Sequence, residues 1–431
     1  MSPDLGLALS FLAFLGLIVA GMAVPFAILL PAMLYMFLLE GWSAFNALGL
    51  ISWANMNGFT LTAIPLFLFM AEILQAGGLT LRVYRGLSHF FARVPGGLLQ
   101  TNIAGCAVFA ACSGSSIATA ASIGSVALPE LVRRGYHRPM SAGSLAAGGT
   151  LGVLLPPSIA LIIYSTFTDT SVAKLFVAGI APGLLLTAMF MGYIGIITLL
   201  KPQYVPREHS SDAPGALVRS LADVVPVLAL VIIILGSIYL GWATPTEAAA
   251  VGCTFAIALS LVWGELRWKV YLGALRRSVQ VSGNILFLIF AAYVYSNAIS
   301  LGGVAESLTS QVISMDLGRW GFFAVLFALY TILGCLVEGI GMIVITVPLL
   351  FPILPHYGID PIWFGVVLVI FVELGMISPP IGINLFVIQS LWKGKLSEVV
   401  MGTIPFHILI FILLAVLVAW PEVALWLPSR L

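Results

Sequence analysis

Serine, glycine and proline residues interrupt the apolar sequence at two places in the first half of the chain. One interruption reads SGSSIAT (113–119), and the other reads GGTLG (148–152) followed by Pro156, Pro157 and Ser158. Glycine permits tight turns that expose carbonyl groups, and proline frees the carbonyl one turn earlier from its usual N–H partner. With the hydroxyl groups, these carbonyls supply hard, neutral oxygen ligands. Such ligands suit a small monovalent cation, so we predict a sodium site here.

A second cluster of the same kind lies in the other half of the chain. It pairs EGIG (338–341) with GMISPP (375–380) and with Asn384. This cluster has fewer hydroxyl groups, so the second predicted cation site depends mostly on carbonyls. Half-helix N-termini at such breaks direct partial positive charge towards an anion, which predicts an anionic substrate nearby. Small residues also allow helices to pack closely, and the sequence leaves that alternative open.

Three acidic residues lie in strongly apolar surroundings: Glu72, Glu338 and Glu373. A carboxylate that faces lipid is costly. Glu338 and Glu373 therefore either contact a cation or a proton, or they line a solvated cavity. For Glu72 the sequence indicates burial and nothing more.

Catalytic chemistry has no matching residues. No set of His, Asp and Ser or Cys residues is expected at one depth, and the four cysteines lie in apolar runs without metal-ligand spacing. The Gly394-Lys395 pair lacks the flanking residues of a phosphate-binding loop. We therefore predict that the chain is not an enzyme.

The composition shows what must position these residues. The chain has 431 residues, of which 61% are hydrophobic and only 8% are charged. Soluble proteins carry roughly 25% charged residues. The sequence therefore predicts an all-α polytopic protein of the lipid bilayer, and it excludes a soluble enzyme or a nucleic-acid-binding protein as the function class.

About ten apolar runs are long enough to cross the bilayer core, which needs about 20 residues per helix. Two further segments, about 97–132 and 320–354, are broken by the clusters and predict re-entrant helical hairpins. With the N-terminus outside, all but three of the 18 Lys and Arg residues (Lys174, Arg319 and Arg430) fall on the cytoplasmic side. The positive-inside rule thus places both termini in the periplasm.

The two halves of the chain share an internal repeat. The two Pro-Pro pairs, 156–157 and 379–380, are 223 positions apart, and the same offset pairs Gly135 with Gly358 and Pro182 with Pro405. We predict a first repeat at 1–200, a cytoplasmic linker at 201–220 and a second repeat at 221–431. Five crossings separate equivalent points, so the second repeat is inverted. Inverted repeats with matching broken helices indicate a secondary transporter, whereas a duplication kept only for packing is the plainer alternative.

Three segments resemble a known family. The stretch from Cys112 to Pro182, the GWATPTE segment (241–247) and GMISPPIGINLFV (375–387) are similar to the large membrane subunit of tripartite ATP-independent periplasmic (TRAP) transporters. The resemblance implies a sodium-driven importer of organic acids with an elevator-type mobile domain in the bacterial inner membrane. It also implies two partners, a small membrane subunit and a periplasmic substrate-binding protein.

The resemblance and the two clusters together define candidate site residues. The resemblance assigns Ser113, Ser115, Ser116, Thr150 and Gly152 to one sodium site, and Gly339, Gly341, Met376 and Pro379 to the other. The cluster chemistry adds Glu338 to the second site. For the carboxylate substrate, the candidates are Ser116, Thr119, Pro157, Ser158 and Asn384.

Other readings remain compatible with the residues. A stand-alone sodium–dicarboxylate symporter or exchanger has the same hairpin pattern and needs no binding protein. A channel would use the helix breaks only to line a pore.

Overall fold

A computed structural model describes residues 3–206 and 216–430, so the predicted linker at 201–220, including Arg207, lies partly outside the described residues. Every long element in the described ranges is a helix. The helices are α1 (Pro3–Val19), α2 (Val24–Glu40), α3 (Ala44–Met56), α4 (Ala63–Ala76), α5 (Leu79–Phe91), α6 (Leu98–Ser113), α7 (Ser116–Arg134), α8 (Arg138–Leu154), α9 (Ile159–Thr168), α10 (Val172–Leu200), α11 (Ala216–Tyr239), α12 (Pro245–Val262), α13 (Trp268–Leu301), α14 (Val304–Ser314), α15 (Arg319–Gly334), α16 (Gly339–Leu350), α17 (Pro361–Ile377), α18 (Ile383–Trp392), α19 (Leu396–Ala419) and α20 (Glu422–Leu425).

The membrane-spanning helices agree with the sequence. Within 3–206 and 216–430, nine helical segments are long and apolar enough to cross a membrane. One of them, Gly339–Tyr357, is an arm of the second hairpin. The other eight, with the shorter α1 and the broken pair α17–α18, make the ten predicted crossings. Helix α2 exposes Leu30, Leu34 and Leu38 along one stripe, as a helix that faces lipid does.

Both broken segments are re-entrant hairpins, as predicted. At the base of the first, the Leu98 amide at the start of α6 donates to the Tyr136 hydroxyl just beyond α7, at 3.1 Å. At the base of the second, Phe322 near the start of α15 stacks on Tyr357 with ring centroids 4.6 Å apart. The two ends of each segment therefore lie on the same side of the molecule.

The second hairpin turns earlier than the sequence indicated. Its non-helical residues are 335–338, so Gly339 and Gly341 belong to the first turn of α16 instead of the turn itself. Glu338 stands at the N-cap position of this helix. The glycines allow close packing there rather than the change of direction.

The two hairpin bases lie at opposite ends of α19. Near the start of α19, Glu398 is 3.2 Å from Arg138, which follows the first hairpin. Near the end of α19, the Leu417 carbonyl accepts from Trp363 Nε1, beside the second hairpin. A helix of 24 residues is about 36 Å long at 1.5 Å per residue. The second repeat is therefore upside down relative to the first.

Helix boundaries follow the repeat closely. Shifting α8 by 223 positions gives 361–377, which are the bounds of α17, and α9 and α18 correspond to within one residue. One element differs: α3 and α4, separated at Asn57 and Gly58, correspond to the single 34-residue helix α13. The equivalent residues are Gln280 and Val281, which do not interrupt a helix.

The helices form two bundles, and the site lies between them. The hairpin bundle consists of α6–α10 and α15–α19, with α8 buried at its centre from Met140 to Leu154. The frame bundle consists of α2, α4, α12 and α13, which pack mainly on one another, and of α11, which packs on α12 and even more on α5.

Candidate functional site

A cavity of about 800 Å³ lies where the two hairpin tips face the frame bundle. The helices α4 and α13 form one wall, and the tips at 114–118 and 338–340 form the other, with Met376 of the second broken helix. Both halves of the chain thus contribute to one cavity. Its lining residues include Leu68, Glu72, Gln75, Ser115, Ser116, Ile117, Arg277, Gln280, Asn284, Glu338, Gly339 and Met376.

The first tip is formed by a glycine turn followed by a serine cap. Gly114 ends α6 with a φ of 60°, in the left-handed region that favours glycine, and the Ser115 side chain caps α7 by accepting from the Ala118 amide. A Cβ at Gly114 would lie 2.6 Å from the Pro157 carbonyl oxygen, and the Gly114 carbonyl accepts from the Ile159 amide at 3.2 Å. The tip therefore rests directly on the break between α8 and α9.

Four predicted residues meet behind this tip. The Ser115 carbonyl accepts from the Thr119 hydroxyl at 2.8 Å and from the Ser113 hydroxyl at 3.3 Å. The hydroxyl oxygens of Ser113 and Thr119 are 2.7 Å apart. A Cβ at Gly152 would lie 2.5 Å from the Ser115 carbonyl oxygen. Neutral hydroxyl and carbonyl oxygens thus converge next to the backbone of α8 at Gly152.

Other predicted residues of the first repeat use their polar groups locally. The Thr150 hydroxyl donates to the Ala147 carbonyl of its own helix at 2.8 Å, and the contacts described for it do not include the tip. The Ser158 hydroxyl caps α9 by accepting from the Leu161 amide and donates to the Val153 carbonyl. The Pro157 carbonyl lies against Gly114.

Asn384 connects the second repeat to the first tip. Its amide nitrogen donates to the Ser116 hydroxyl at 2.5 Å and to the Ala146 carbonyl at 3.2 Å. The side chain is fully buried, and its oxygen Oδ1 has no hydrogen-bond partner among the described residues. A buried acceptor without a donor is costly, and a bound cation is one group that would satisfy it.

The residues predicted for the second site are less closely assembled. Gly339 packs against Val372 and Met376 of α17, whereas Gly341 packs against Val337 of the turn and then Val24 of α2. Pro379 is exposed, and its carbonyl accepts from the Cys335 thiol at 3.5 Å. Glu338 lies on the cavity wall. Of this set, Glu338, Gly339 and Met376 reach the cavity.

Several residues of the cavity wall were missed from the sequence. Arg277, Gln280 and Asn284 form one stripe of α13, and the Arg277 Nε donates to the Glu72 carboxylate at 2.8 Å. The polar spacing of i, i+3 and i+7 on an apolar helix was the available signal. Glu373 differs from the expectation for a cavity wall, because its side chain is fully buried and both carboxyl oxygens lack a hydrogen-bond partner among the described residues.

Inverted hairpins whose tips meet at a cavity within a polytopic helical protein define a membrane transporter of the inverted-repeat class. The sequence profile of the family described as "Tripartite ATP-independent periplasmic transporter, DctM component" matches residues 11–423. The chain therefore belongs to this family and is a large permease subunit of a TRAP transporter.

Individual relatives agree with this assignment. The chain is 35% identical to the C4-dicarboxylate TRAP transporter large permease protein DctM of Pseudomonas aeruginosa, over 86% of this chain and 87% of that protein. It is 30% identical to the ectoine/5-hydroxyectoine TRAP transporter large permease protein UehC of Ruegeria pomeroyi, over 87% of each chain.

A solved structure shares the fold. The YdaH transporter of Alcanivorax borkumensis superposes with a TM-score of 0.63 over 96% of this chain and 99% of that one, at 15% identity. At this identity the likeness concerns the architecture alone.

Proposed function

We propose that this chain carries a small carboxylate into the cell across the bacterial inner membrane, coupled to sodium ions. The observation that carries the proposal is the single cavity lined by both hairpin tips, with a cluster of neutral oxygens directly behind the first. The solutes named for the two relatives, C4-dicarboxylates and ectoines, share a carboxylate group. A carboxylate substrate for this chain is therefore the common expectation.

The proposed sodium site lies at the first tip. It consists of the Ser113 and Thr119 hydroxyls and the Ser115 carbonyl, next to the backbone of Gly152. The partnerless Oδ1 of the buried Asn384 supports a cation in this region. A second sodium ion at the tip that contains Gly339 follows from the repeat.

Two sodium ions supply enough free energy for concentrative uptake. One charge that moves down a potential of 100 mV releases about 2.3 kcal/mol. A tenfold sodium gradient adds about 1.4 kcal/mol per ion. Two ions therefore supply roughly 7 kcal/mol, or about a 10⁵-fold gradient of a neutral solute.

The proposed movement is of the elevator type. The hairpin bundle carries the site and moves past the frame bundle, which stays fixed with a small membrane subunit. A periplasmic binding protein delivers the substrate from the side on which both termini lie.

Reconstitution tests this function. Proteoliposomes should take up succinate or ectoine only with a sodium gradient, a small membrane subunit and a matching binding protein. Uptake should stop when choline replaces external sodium. Undiminished uptake in choline would contradict sodium coupling, and uptake without the binding protein would favour a stand-alone symporter.

A pair of matched variants locates the sodium site. Thr119→Val keeps the shape of the side chain and removes the hydroxyl beside Ser113, so the sodium concentration for half-maximal uptake should rise about tenfold. Thr198→Val is the control, because the Thr198 hydroxyl is also buried but bonds only within α10, to Ile194 and Gly195. Equal sodium dependence in both variants would place the ion elsewhere.

A further inference from the structure

The charged side chains of the cavity lie mostly on the frame bundle. Among the described residues that line the cavity, the charged ones are Glu72, Arg277 and Glu338. Glu72 belongs to α4 and Arg277 to α13, and 205 positions separate them in the sequence. Arg277 is thus the cation of the cavity wall, opposite the tip that carries the oxygen cluster.

Arg277 is held but not enclosed. Its Nε donates to Oε2 of Glu72 at 2.8 Å, and the arginine side chain remains 54% exposed whereas the glutamate side chain is 19% exposed. A guanidinium group carries five N–H donors in a planar fork that matches a carboxylate. The pair therefore still presents donors towards the cavity.

Two neutral amides continue the stripe of Arg277 along α13. Gln280 and Asn284 lie one and two turns further, line the same cavity and are exposed there. Amide side chains can donate to a carboxylate without adding charge. The stripe is suited to an anion that has one carboxylate at the arginine and further polar groups beyond it.

We propose that Arg277 binds the carboxylate of the transported acid, and that Glu72 is the internal counter-ion which this carboxylate displaces. This inference rests on the proposed function, because it assigns a residue to the substrate of that site. A guanidinium group on the wall of a largely apolar cavity is stabilised by a carboxylate partner, and Glu72 is that partner until the substrate arrives. Exchange of one carboxylate for another on the same guanidinium leaves the number of charge pairs unchanged. Binding can then be specific and still reversible, as release of the substrate requires.

Thiol-modification rates test the electrostatics without any substrate. Ile117→Cys places a thiol at the first tip, in a Cys335→Ser background that removes the one cysteine that is not buried. The rates with an anionic reagent, 2-sulfonatoethyl methanethiosulfonate, and a cationic one, 2-(trimethylammonium)ethyl methanethiosulfonate, give a ratio. Arg277→Gln should lower the anionic-to-cationic ratio roughly threefold or more, and Glu72→Gln should raise it. Arg276→Gln is the matched control, since Arg276 is exposed but does not line the cavity.

Transport of the acid that the wild type accepts tests binding itself. Arg277→Gln should raise the substrate concentration for half-maximal uptake at least tenfold and leave the sodium dependence unchanged, with partial recovery in Arg277→Lys. Glu72→Gln should lower that concentration and slow turnover, because the substrate then has no competitor. Since the two variants have opposite effects, a folding defect in one does not decide the outcome. Unchanged reagent ratios in both Arg277→Gln and Glu72→Gln, or a loss of sodium dependence in Arg277→Gln, would overturn this proposal. Absence of sodium-driven uptake in the wild type would instead overturn the proposed function.

Discussion

Replacing Gly152 by alanine tests the contact on which the proposed sodium site depends. The new Cβ would lie 2.5 Å from the Ser115 carbonyl oxygen and 2.6 Å from the Thr119 hydroxyl, whereas real Cβ atoms essentially never approach within 3.0 Å. The first tip must therefore move by at least about 0.5 Å, the difference between 3.0 and 2.5 Å. Overpacking of this kind costs about 1–3 kcal/mol.

Gly192→Ala provides the matched control. Gly192 also lies within a helix, α10, but no atom lies within 4 Å of a Cβ built there. Both variants gain about 1 kcal/mol of helix propensity. Their difference in the free energy of unfolding therefore isolates the contact and should be about 1–3 kcal/mol.

Thermal melting in detergent with and without sodium measures both effects. Gly152→Ala should melt below the wild type, and Gly192→Ala at or above it. If displacement of the tip weakens sodium binding tenfold, about 1.4 kcal/mol of sodium-dependent stabilisation is lost at high sodium. Equal melting of the two variants, with the wild-type response to sodium in both, would refute the packing argument and the site built on it.

Two further predictions concern the base of the first hairpin and the orientation of the repeats. His137 accepts the Met140 amide through Nδ1 and stacks on Tyr204, while burial and the nearby Lys201 lower its pKa. A lowered pKa favours the neutral ring in the folded state, so stability should be lost below about pH 6.5. The variant His137→Asn can still cap the helix, and its melting temperature should depend less on pH between 7 and 5. An equal change of melting temperature with pH in the variant and the wild type would contradict this role. An impermeant maleimide should label Arg133→Cys from the cytoplasm and Arg319→Cys from the periplasm, because the two hairpin bases lie at opposite ends of α19; labelling of both from one face would contradict the inverted arrangement.

The large-scale architecture could be read from the sequence because its signals are local. The Pro-Pro pairs follow the ends of α8 and α17, so matched breaks 223 positions apart already implied an inverted repeat. The glycine cluster at 148–152, in contrast, was expected to interrupt a helix and lies within α8. Helices α3, α5 and α14 were missed. Each has only 11–13 residues, too few to be recognised as a membrane span.

Which residues of a motif face the site depends on their angular position around the helix, and a motif match does not give that position. Gly149 and Gly152 face the first hairpin, at Ala120 and Ser115 respectively. Thr150 lies between them in sequence, about 100° of helix rotation from Gly149, and bonds its own helix. Thr119 was predicted as a substrate residue, and the structure places its hydroxyl in the oxygen cluster with Ser113.

The pair of Glu72 and Arg277 had no comparable signal. Neither residue stands in a motif. The sequence indicated only burial for Glu72, and it counted Arg277 among the basic residues of the cytoplasmic side. Only the packing of α4 on α13 brings the two together. Contacts between residues so far apart in sequence follow from tertiary structure alone.

The contacts of Asn384 favour movement of the hairpin bundle as one body over the opening of a single hairpin. The first tip is fixed to its own repeat through Gly114 and Ile159, and to the other repeat through Ser116 and Asn384. Opening this tip alone would break both bonds, and each buried donor or acceptor left unpaired costs about 1–3 kcal/mol. A movement between the hairpin bundle and the frame bundle leaves both bonds intact. It changes which residues of α4 and α13 face the tips, and it thereby brings the substrate to Arg277 or removes it.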